Sequence, residues 1–281
     1  MPNSDSLVSV IIPAYNAQNY ISDAITSVRN QTWKRWELII VNDGSTDATA
    51  TIVADFCRQD PGIQLISREN GKQAKARNTG IAAASGQFLA FLDSDDIWHP
   101  LKLEKQLAAH ERTQADVVFT DAIHFSDEAI RLPTDLFGLY NGFFRGDEMF
   151  LLLFKRNAIP LSSALLSRRR VGTWCYFDED VKITGVEDFE LWLRLASKDA
   201  SFLGMPDKLI KYRSHSEQTS QDSSSMMSAT NALRRKYRAA WAMKSISHWF
   251  RGCGVVDISV GYFIESCLFH YRTENIDWPW T

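Results

Sequence analysis

Short runs of β-branched and aromatic residues alternate with longer amphipathic segments through the first 120 residues of the chain. This alternation is typical of β-α-β units, and it predicts a mainly parallel sheet with helices on its faces. The predicted strands are Val8–Ile12, Glu37–Val41, Ile63–Ser67, Phe88–Leu92 and Val117–Thr120. The predicted helices are Tyr20–Asn30, Ala48–Gln59, Gln73–Ala84 and Leu101–Arg112.

Two of the predicted helices carry start signals. The segment "NDGSTDAT" offers Ser45, Thr46 and Asp47 as caps for the second helix, because short polar side chains accept hydrogen bonds from the free N–H groups at a helix start. Pro100 suits the first position of the fourth helix, where a missing N–H is tolerated. These signals predict where both helices begin.

The alternation stops beyond the fifth strand. Residues 131–146 are rich in Phe, Gly and Asn and predict a loop, and the pattern stays mixed to about Arg213. The polar tract Ser216–Ser228 then predicts either a linker or a loop beside a functional site. A basic segment that contains tryptophans follows this tract.

The charge of the chain is close to balanced. A net charge of −3 over 281 residues excludes a protein that holds nucleic acid by bulk electrostatics. One local imbalance exists, because the segment from Ala229 to Arg251 contains basic residues and no acidic ones. Its basic residues are Arg234, Arg235, Lys236, Arg238, Lys244 and Arg251.

Cysteine spacing and hydrophobic runs indicate the compartment. The cysteines are Cys57, Cys175, Cys253 and Cys267. They form no CxxC pair and lack close zinc ligands, so we expect reduced thiols in a cytoplasmic protein. The N-terminus lacks a basic start and carries Asp5, which argues against a signal peptide. The longest apolar run, Met149–Phe154, is far shorter than the roughly 20 residues that span a bilayer.

Three carboxylates crowd the end of the fourth predicted strand: Asp93, Asp95 and Asp96. Their repulsion raises the cost of ionisation unless a cation lies between them. Ligands of parallel sheets bind beyond the carboxyl ends of the strands. If the extended geometry persists, Asp93 and Asp95 share a face while Ser94 points away, and their oxygens suit Mg²⁺ or Mn²⁺ bound together with phosphates. Alternatively one acid caps the helix near Pro100 and the others are solvated, which we expect for Asp96.

The first and second strands end in "IIPAYN" and "VNDGSTD" on the same edge of the predicted sheet. Tyr15 can stack on a flat ring, and Asp43 can accept a hydrogen bond from a base, although Asn-Asp-Gly is also ordinary turn chemistry. Together they predict a pocket for a planar group. Arg77 can form a fork onto phosphate oxygens, whereas Lys72 and Lys75 are equally well explained as a solvated helix face.

Four segments in register resemble the successive landmarks of the family 2 glycosyltransferases. They are "SVIIPAYNAQNYISDAITSVRNQTW", "WELIIVNDGSTDAT", "AKARNTGIAAASGQFLAFLDSDDIWHPLKLEKQ" and "GVEDFELWLRL", and the similarity covers roughly residues 7 to 220. The resemblance implies a GT-A fold, a Rossmann-like, mostly parallel sheet flanked by helices. It also implies a catalytic domain over residues 1–222, with a nucleotide-binding half to about 120 and an acceptor half beyond it. Residues 223–281 would form a helical extension.

The same resemblance implies an inverting transferase that uses a UDP-sugar donor and a divalent metal, Mn²⁺ or Mg²⁺. The acceptor would be a hydroxyl of a saccharide or of a lipid-linked sugar. By similarity, "DSD" is the DxD motif, with Asp93 toward the ribose and sugar, and Asp95 and Asp93 at the metal. The implied donor-binding residues are Pro13, Ala14, Tyr15, Asn16, Asp43, Arg77, Asp93 and Ser94.

The segment "GVED" carries the chemical step by similarity. Asp188 would be the general base that takes a proton from the acceptor hydroxyl, and Glu187 would orient the acceptor or tune Asp188. Both acids also suit the N-terminus of an amphipathic helix, "EDFELWLRL", and the two interpretations are compatible. His215 would reach the metal or the diphosphate, the alternative being an ordinary surface histidine.

One position departs from the family pattern. In "NGK", Lys72 stands where the resemblance predicts glycine. A charged side chain near the donor leaves the identity of the sugar open.

The basic segment 229–251 has two interpretations. It could lie on the inner, anionic face of a membrane, where lipid-linked acceptors are found. It could equally pack against the catalytic body or a second subunit, as in a homodimer, and we favour packing because helices gain most stability that way.

Two other functions compete with glycosyl transfer. Haloacid-dehalogenase-like phosphohydrolases also place DxD after a hydrophobic strand, but after the first strand rather than the fourth. A noncatalytic nucleotide-sugar-binding module is the other alternative, and the presence of Asp188 argues against it.

Overall fold

The computed structural model describes residues 5–127, 140–215 and 223–252. The described chain forms one mixed sheet flanked by helices. Its strands are β1 Val8–Ala14, β2 Trp36–Asn42, β3 Ile63–Ser67, β4 Phe88–Phe91, β5 Ile97–Trp98, β6 Val117–Phe125, β7 Gly142–Phe144, β8 Leu165–Ser167 and β9 Phe202–Arg213. Its α-helices are α1 Ile21–Arg29, α2 Thr49–Gln59, α3 Lys72–Ala83, α4 Lys102–Thr113, α5 Gly146–Lys155, α6 Arg168–Val171, α7 Glu187–Ser197 and α8 Ser223–Gly252. Short 3₁₀ turns are formed by Leu161–Ser163, Gly172–Trp174 and Val181–Ile183.

The strands are ordered β3-β2-β1-β4-β8-β6-β9-β5, and β7 pairs with β9 off this path. The first four strands of this order are mutually parallel, and β6 is parallel to β9. Strand β8 runs antiparallel to β4 and β6, and β5 and β7 run antiparallel to β9. The carboxyl ends of β1, β2 and β4 therefore meet at one edge of the sheet.

Strand β1 is buried along its whole length. Ile11 packs in the core on one face of the sheet, while Val10 and Ile12 pack in the core on the other face. Strands covered by helices on both faces are hydrophobic at successive positions. This explains why the strand sequence is a continuous apolar run.

The five strands and four helices predicted from the first 120 residues are confirmed, with shifted ends. Helix α4 begins at Lys102, so Pro100 precedes its first position by two residues, and the Gln31 side chain accepts the Leu103 N–H at 3.0 Å. Asp47 accepts the Thr49 N–H at 2.9 Å, as predicted for a residue at the start of α2. Strand β6 continues five residues beyond its predicted end because β9 pairs along it.

Helix α8 packs against α5 and α7. Leu233 is fully buried, the Tyr237 ring lies 6.0 Å from that of Phe150, and the Trp241 ring stacks on Phe154 at 5.4 Å. The packing interpretation of the basic segment is thus confirmed for the side chains described up to residue 245. Two of its cations are neutralised on the body, since Lys236 pairs with Asp178 and Glu190, and Lys244 pairs with Asp147.

Several predicted features lie wholly or partly outside the described residues. They are most of the Phe-, Gly- and Asn-rich loop, the polar tract up to residue 222, and the chain beyond residue 252 with Cys253 and Cys267. Cys57 and Cys175 are free thiols, as expected. None of the described helices combines the length and the apolar character that crossing a membrane requires.

Candidate active site

A cavity of about 790 Å³ opens at the edge of the sheet where β1 and β4 end. The start of α7, the end of β9 and one face of α8 complete its wall. The sequence-predicted site residues that line it are Pro13, Tyr15, Asn16, Arg77, Asp93, Ser94, Asp95, Glu187, Asp188 and His215. The fold thus brings together side chains from positions 13 to 215 of the chain.

Two predicted donor-binding residues do not line this cavity. Ala14 is buried as the last residue of β1. Both carboxylate oxygens of Asp43 accept the Gly71 N–H at 3.1 Å, and Arg68 lies 3.3 Å from Oδ1. In this structure the Asp43 side chain therefore fixes the loop before α3, and its contact with a base stays a prediction.

The loops that follow β1 and β2 are tied to each other. The Asn16 N–H donates to Ser45 Oγ at 3.0 Å, and Asn16 Oδ1 accepts the Thr46 N–H at 2.9 Å. Asp47 Oδ2 accepts the Gln18 N–H at 3.1 Å. The neighbouring Tyr15 side chain is half exposed in the cavity wall, so it offers an aromatic face on a fixed loop.

The carboxylate-rich segment after β4 is a turn rather than a continuation of the strand. Strand β4 ends at Phe91, and the Asp96 N–H donates to the Asp93 carbonyl at 3.1 Å. Asp93, Ser94 and Asp95 all line the cavity. The extended geometry that would turn Ser94 away does not persist, because β4 ends at Phe91.

The third acid of this segment belongs to the protein interior. Asp96 is 1% exposed and accepts the Arg213 N–H at 3.0 Å. Burial, together with the nearby Asp95 and Asp93, raises its pKa well above the ordinary value. Asp96 is therefore neither a helix cap nor a solvated acid, and that interpretation was wrong.

Arg77 connects two carboxylates of the cavity. Its Nη2 donates to Asp93 at 2.7 Å, and its Nη1 donates to Glu187 at 2.7 Å. The guanidinium lies over the Phe177 ring at 5.2 Å. Burial outweighs the attraction of Arg77 and raises the pKa of Asp93. The fork predicted for phosphate oxygens is thus engaged by two carboxylates in this structure.

His215 lies beside Asp95. Its Nε2 is 3.0 Å from Asp95 Oδ2, and its ring packs 4.8 Å from that of Tyr20. Arg213, at the end of β9, donates from Nε to the Asp95 carbonyl at 2.8 Å. His215 is only 8% exposed, so the surface-histidine interpretation was wrong.

Glu187 and Asp188 begin helix α7, as the amphipathic pattern predicts. Glu187 accepts the Gly185 N–H at 2.7 Å. Asp188 accepts a hydrogen bond from Asn157 Nδ2 at 3.2 Å. Burial and the charge of Glu187 raise the pKa of Asp188 to about 7, against the opposing effect of Arg77. A carboxyl group with that pKa can accept or release a proton near neutrality.

The side chains at Asp95 fit a divalent ion only with a phosphate ligand. Among the residues that the structure describes, no three His, Cys, Asp or Glu side chains form a complete metal cage. Mg²⁺ typically binds through one or two carboxylates together with substrate phosphates. Asp95 and His215 provide an oxygen and a nitrogen side by side, which suits an ion completed by a diphosphate.

Sequence reasoning missed several residues of the cavity. Asn157 contacts Asp188, and the Ser162 hydroxyl accepts the Asp93 N–H at 3.1 Å. Both come from the region whose pattern is mixed, so no sequence signal marks them. Lys155 and Arg234 also line the wall. Arg234 belongs to the basic segment, whose unusual charge was the available signal.

The fold is that of the GT-A glycosyltransferases. It matches Staphylococcus aureus TarS residues 1–349 in complex with UDP-GlcNAc with a TM-score of 0.62 at 20% identity, over 77% of this chain and 61% of that one. Residues 9–170 match the family described as glycosyl transferase family 2. The chain therefore belongs to the family 2 glycosyltransferases.

Two named relatives are similar in sequence. The putative teichuronic acid biosynthesis glycosyltransferase TuaG of Bacillus subtilis is 34% identical over 76% of this chain and 81% of its own length. The Escherichia coli UDP-Glc:alpha-D-GlcNAc-diphosphoundecaprenol beta-1,3-glucosyltransferase WfgD is 50% identical over 37% of this chain and 41% of its own length. The chain spans only about a third of the length of three Rickettsia glycosyltransferases that it also matches.

Proposed function

We propose that the protein is an inverting glycosyltransferase that moves a sugar from a UDP-sugar to a hydroxyl of a saccharide or lipid-linked acceptor. Its products would belong to polysaccharide or glycolipid biosynthesis. One observation carries this proposal: the Asp95–His215 pair and Asp188 line the same cavity. Arg77 lies between them and donates a hydrogen bond to Glu187, the neighbour of Asp188.

The ends of β1 and β4 would form the donor side. Tyr15 offers an exposed ring on a fixed loop, and such a ring can stack on the flat base of a nucleotide. The name of WfgD specifies a UDP-glucose donor, and half of its residues over the matched segment are identical to this chain. The Tyr15 ring supports a nucleotide donor, and the name of WfgD supports UDP as that nucleotide.

Asp95 and His215 would hold Mn²⁺ or Mg²⁺, which compensates the charge of the departing nucleoside diphosphate. Arg77 keeps Asp93 in place beside them through its hydrogen bond at 2.7 Å. Ser162 fixes the backbone of the same turn through the Asp93 N–H. The chain thus holds the carboxylate turn from two sides.

The chemical step would be a single displacement. A carboxylate oxygen of Asp188 takes the proton of the acceptor hydroxyl while the oxygen of that hydroxyl bonds to the anomeric carbon. The bond from the anomeric carbon to the diphosphate breaks in the same step, so the configuration inverts. Asn157 orients the Asp188 carboxylate, and Arg77 with Gly185 holds Glu187 beside it.

The origins of most of these side chains support the proposed division into halves. Residues up to about 120 supply Tyr15, Asp93 and Asp95 on the donor side. Residues 121–222 supply Asn157, Glu187 and Asp188, and they also supply His215 beside Asp95. Helix α8, the beginning of the proposed extension 223–281, contributes Met226, Thr230 and Arg234 to the wall. The extension would therefore take part in acceptor binding, at the inner face of the membrane when the acceptor is lipid-linked.

Thermal unfolding with a panel of nucleotide sugars tests the proposal, because a ligand that binds only the folded protein stabilises it. We expect a Mn²⁺-dependent shift with UDP-sugars that is lost in Asp95→Ala. The matched control is Asp55→Ala on the exposed side of α2, which should keep the shift. A shift with orthophosphate analogues but not with UDP would instead favour a phosphohydrolase. A UDP shift without transfer to any acceptor would favour the noncatalytic module.

A further inference from the structure

Helix α8 presents one face to the cavity. Met226, Thr230 and Arg234 are spaced four residues apart, and all three line the wall. Side chains four residues apart lie on the same side of a helix. Next to Arg234, Lys155 at the end of α5 contributes to the same wall. We call Lys155 and Arg234 the basic wall.

Arg234 is held in position by the protein. Its Nη2 donates to the Lys155 carbonyl at 3.0 Å, and its Nε is buried without a hydrogen-bond partner in the described part of the chain. Lys236 and Lys244 of the same helix pair with carboxylates of the body. Within the described ranges, neither Lys155 nor Arg234 has such a carboxylate partner.

The basic wall lies close to the proposed base. Asn157 donates to Asp188 at 3.2 Å, and Lys155 precedes Asn157 by two positions. Two residue steps span at most about 7 Å. Lys155, Arg234 and Asp188 line the same cavity, so one acceptor molecule can contact Asp188 through a hydroxyl and the basic wall through another group.

We propose that the basic wall binds a phosphate of the acceptor, so that the acceptor is a sugar joined to a phosphate or diphosphate. This inference rests on the proposed function. Arginine forms paired hydrogen bonds with phosphate oxygens, and lysine acts on them as a point charge. The donor diphosphate is assigned to Asp95 and His215. The cations of the basic wall would therefore bind a different anion, the phosphate of the acceptor. Helix α8 is then a specificity element as well as a packing element.

Binding of inorganic pyrophosphate and of farnesyl diphosphate, measured by calorimetry, tests the inference without turnover. EDTA is present throughout, so that no metal can bring the probes to the carboxylate turn. We expect Lys155→Gln and Arg234→Gln each to weaken binding about tenfold or more, because each variant loses one charge-assisted hydrogen bond to the probe. The control is Arg235→Gln, which removes the same charge from an exposed position of α8 and should leave binding unchanged. Undetectable binding to the unmodified protein, or an equal loss in Arg235→Gln, overturns the inference.

A second arm separates an acceptor phosphate from lipid headgroups. Sedimentation with phosphatidylglycerol and phosphatidylcholine vesicles should give the same bound fraction for the unmodified protein and Arg234→Gln. If Arg234→Gln loses vesicle binding but keeps pyrophosphate binding, the cations serve a membrane surface and the inference fails. Because the Lys155 side chain is exposed, Lys155→Gln is not expected to affect folding.

The donor measurement distinguishes the two proposals. Arg234→Gln should keep the Mn²⁺-dependent thermal shift with UDP. If that shift is present while pyrophosphate binds the variants and the unmodified protein equally, only the acceptor inference fails. If the unmodified protein shows no shift with any UDP-sugar, the proposed function fails.

Discussion

Arg77 Nη1 donates to Glu187 Oε1 at 2.7 Å, although 110 positions separate the two residues in the chain. The same guanidinium reaches Asp93 through Nη2 and is 3% exposed. A planar fork is what allows one side chain to serve two carboxylates at once. Arg77 thus joins the carboxylate turn after β4 to the first turn of α7. The position of Asp93 and Asp95 relative to Glu187 and Asp188 depends on this connection.

We expect Arg77→Ala to lower the free energy of unfolding by about 3–5 kcal/mol, because it leaves the buried carboxylate of Glu187 and the partly buried one of Asp93 without their cation. Urea unfolding measures the change. Arg29→Ala is the control, since the Arg29–Asp60 pair is 3.6 Å long and partly exposed, and its loss should cost about 1 kcal/mol or less. Equal losses in the two variants would contradict a central role of Arg77. A double-mutant cycle with Glu187→Gln should show a coupling energy between the two residues.

Asp188→Asn should separate binding from chemistry. The amide keeps the size of the carboxylate but cannot accept the hydroxyl proton, so turnover should fall by about 10²–10⁴. The Mn²⁺-dependent UDP shift should remain, because Asp188 is assigned to the acceptor. A loss of UDP binding with little change in turnover would contradict the assignment.

The pH profile of kcat/KM follows from the pKa of Asp188. That pKa is raised to about 7 by burial and by Glu187, with Arg77 opposing. The base must be ionised to act, so the rate should rise about tenfold per pH unit up to pH 7 and level off above it. Asn157→Ala removes a hydrogen bond that lowers the pKa of Asp188, so the rising part of the profile should move to higher pH. A profile that is flat from pH 5 to pH 7 would indicate an ordinary carboxylate or another base.

The elements that could be predicted from the sequence are those whose pattern is set by burial. The strands β1, β2 and β4 contain continuous runs of buried apolar residues, which is the pattern of strands covered on both faces. Strands β8 and β9 could not be predicted in this way. Strand β8 has only three residues, and β9 contains polar, partly exposed positions that interrupt its apolar pattern. Short strands leave too few positions for a period to be recognised.

The sequence predicted which residues belong to the candidate site better than it predicted the contacts between them. The resemblance brought Asp95 and His215 to one place although 120 positions separate them. It could not predict that Asp96 turns into the interior or that Asp43 binds the Gly71 N–H, because both depend on where the strand stops and a loop closes. Side-chain direction after a strand end is decided by local hydrogen bonds.

Lys72 has a φ of +72°, in the left-handed region that favours glycine. This geometry gives a physical reason for the glycine that the family pattern predicts there. An ordinary residue pays about 1–2 kcal/mol in that region, while glycine adds about 0.4–1 kcal/mol of unfolded-chain entropy. Lys72→Gly should therefore raise the free energy of unfolding slightly. Lys75→Gly, inside α3, should lower it by about 1 kcal/mol, and a loss of the same size in Lys72→Gly would contradict the strain.

Leu233→Ala tests whether α8 is docked on the catalytic body in solution. Leu233 is fully buried, so its truncation should lower the free energy of unfolding by about 2–5 kcal/mol through lost burial and a residual cavity. Met227→Ala is the control on the same helix, because Met227 is 67% exposed and should change stability by about 0.5 kcal/mol or less. Urea unfolding of both variants gives the comparison. If both variants match the unmodified protein, α8 is not docked on the catalytic body, and Arg234 is not held in the cavity wall.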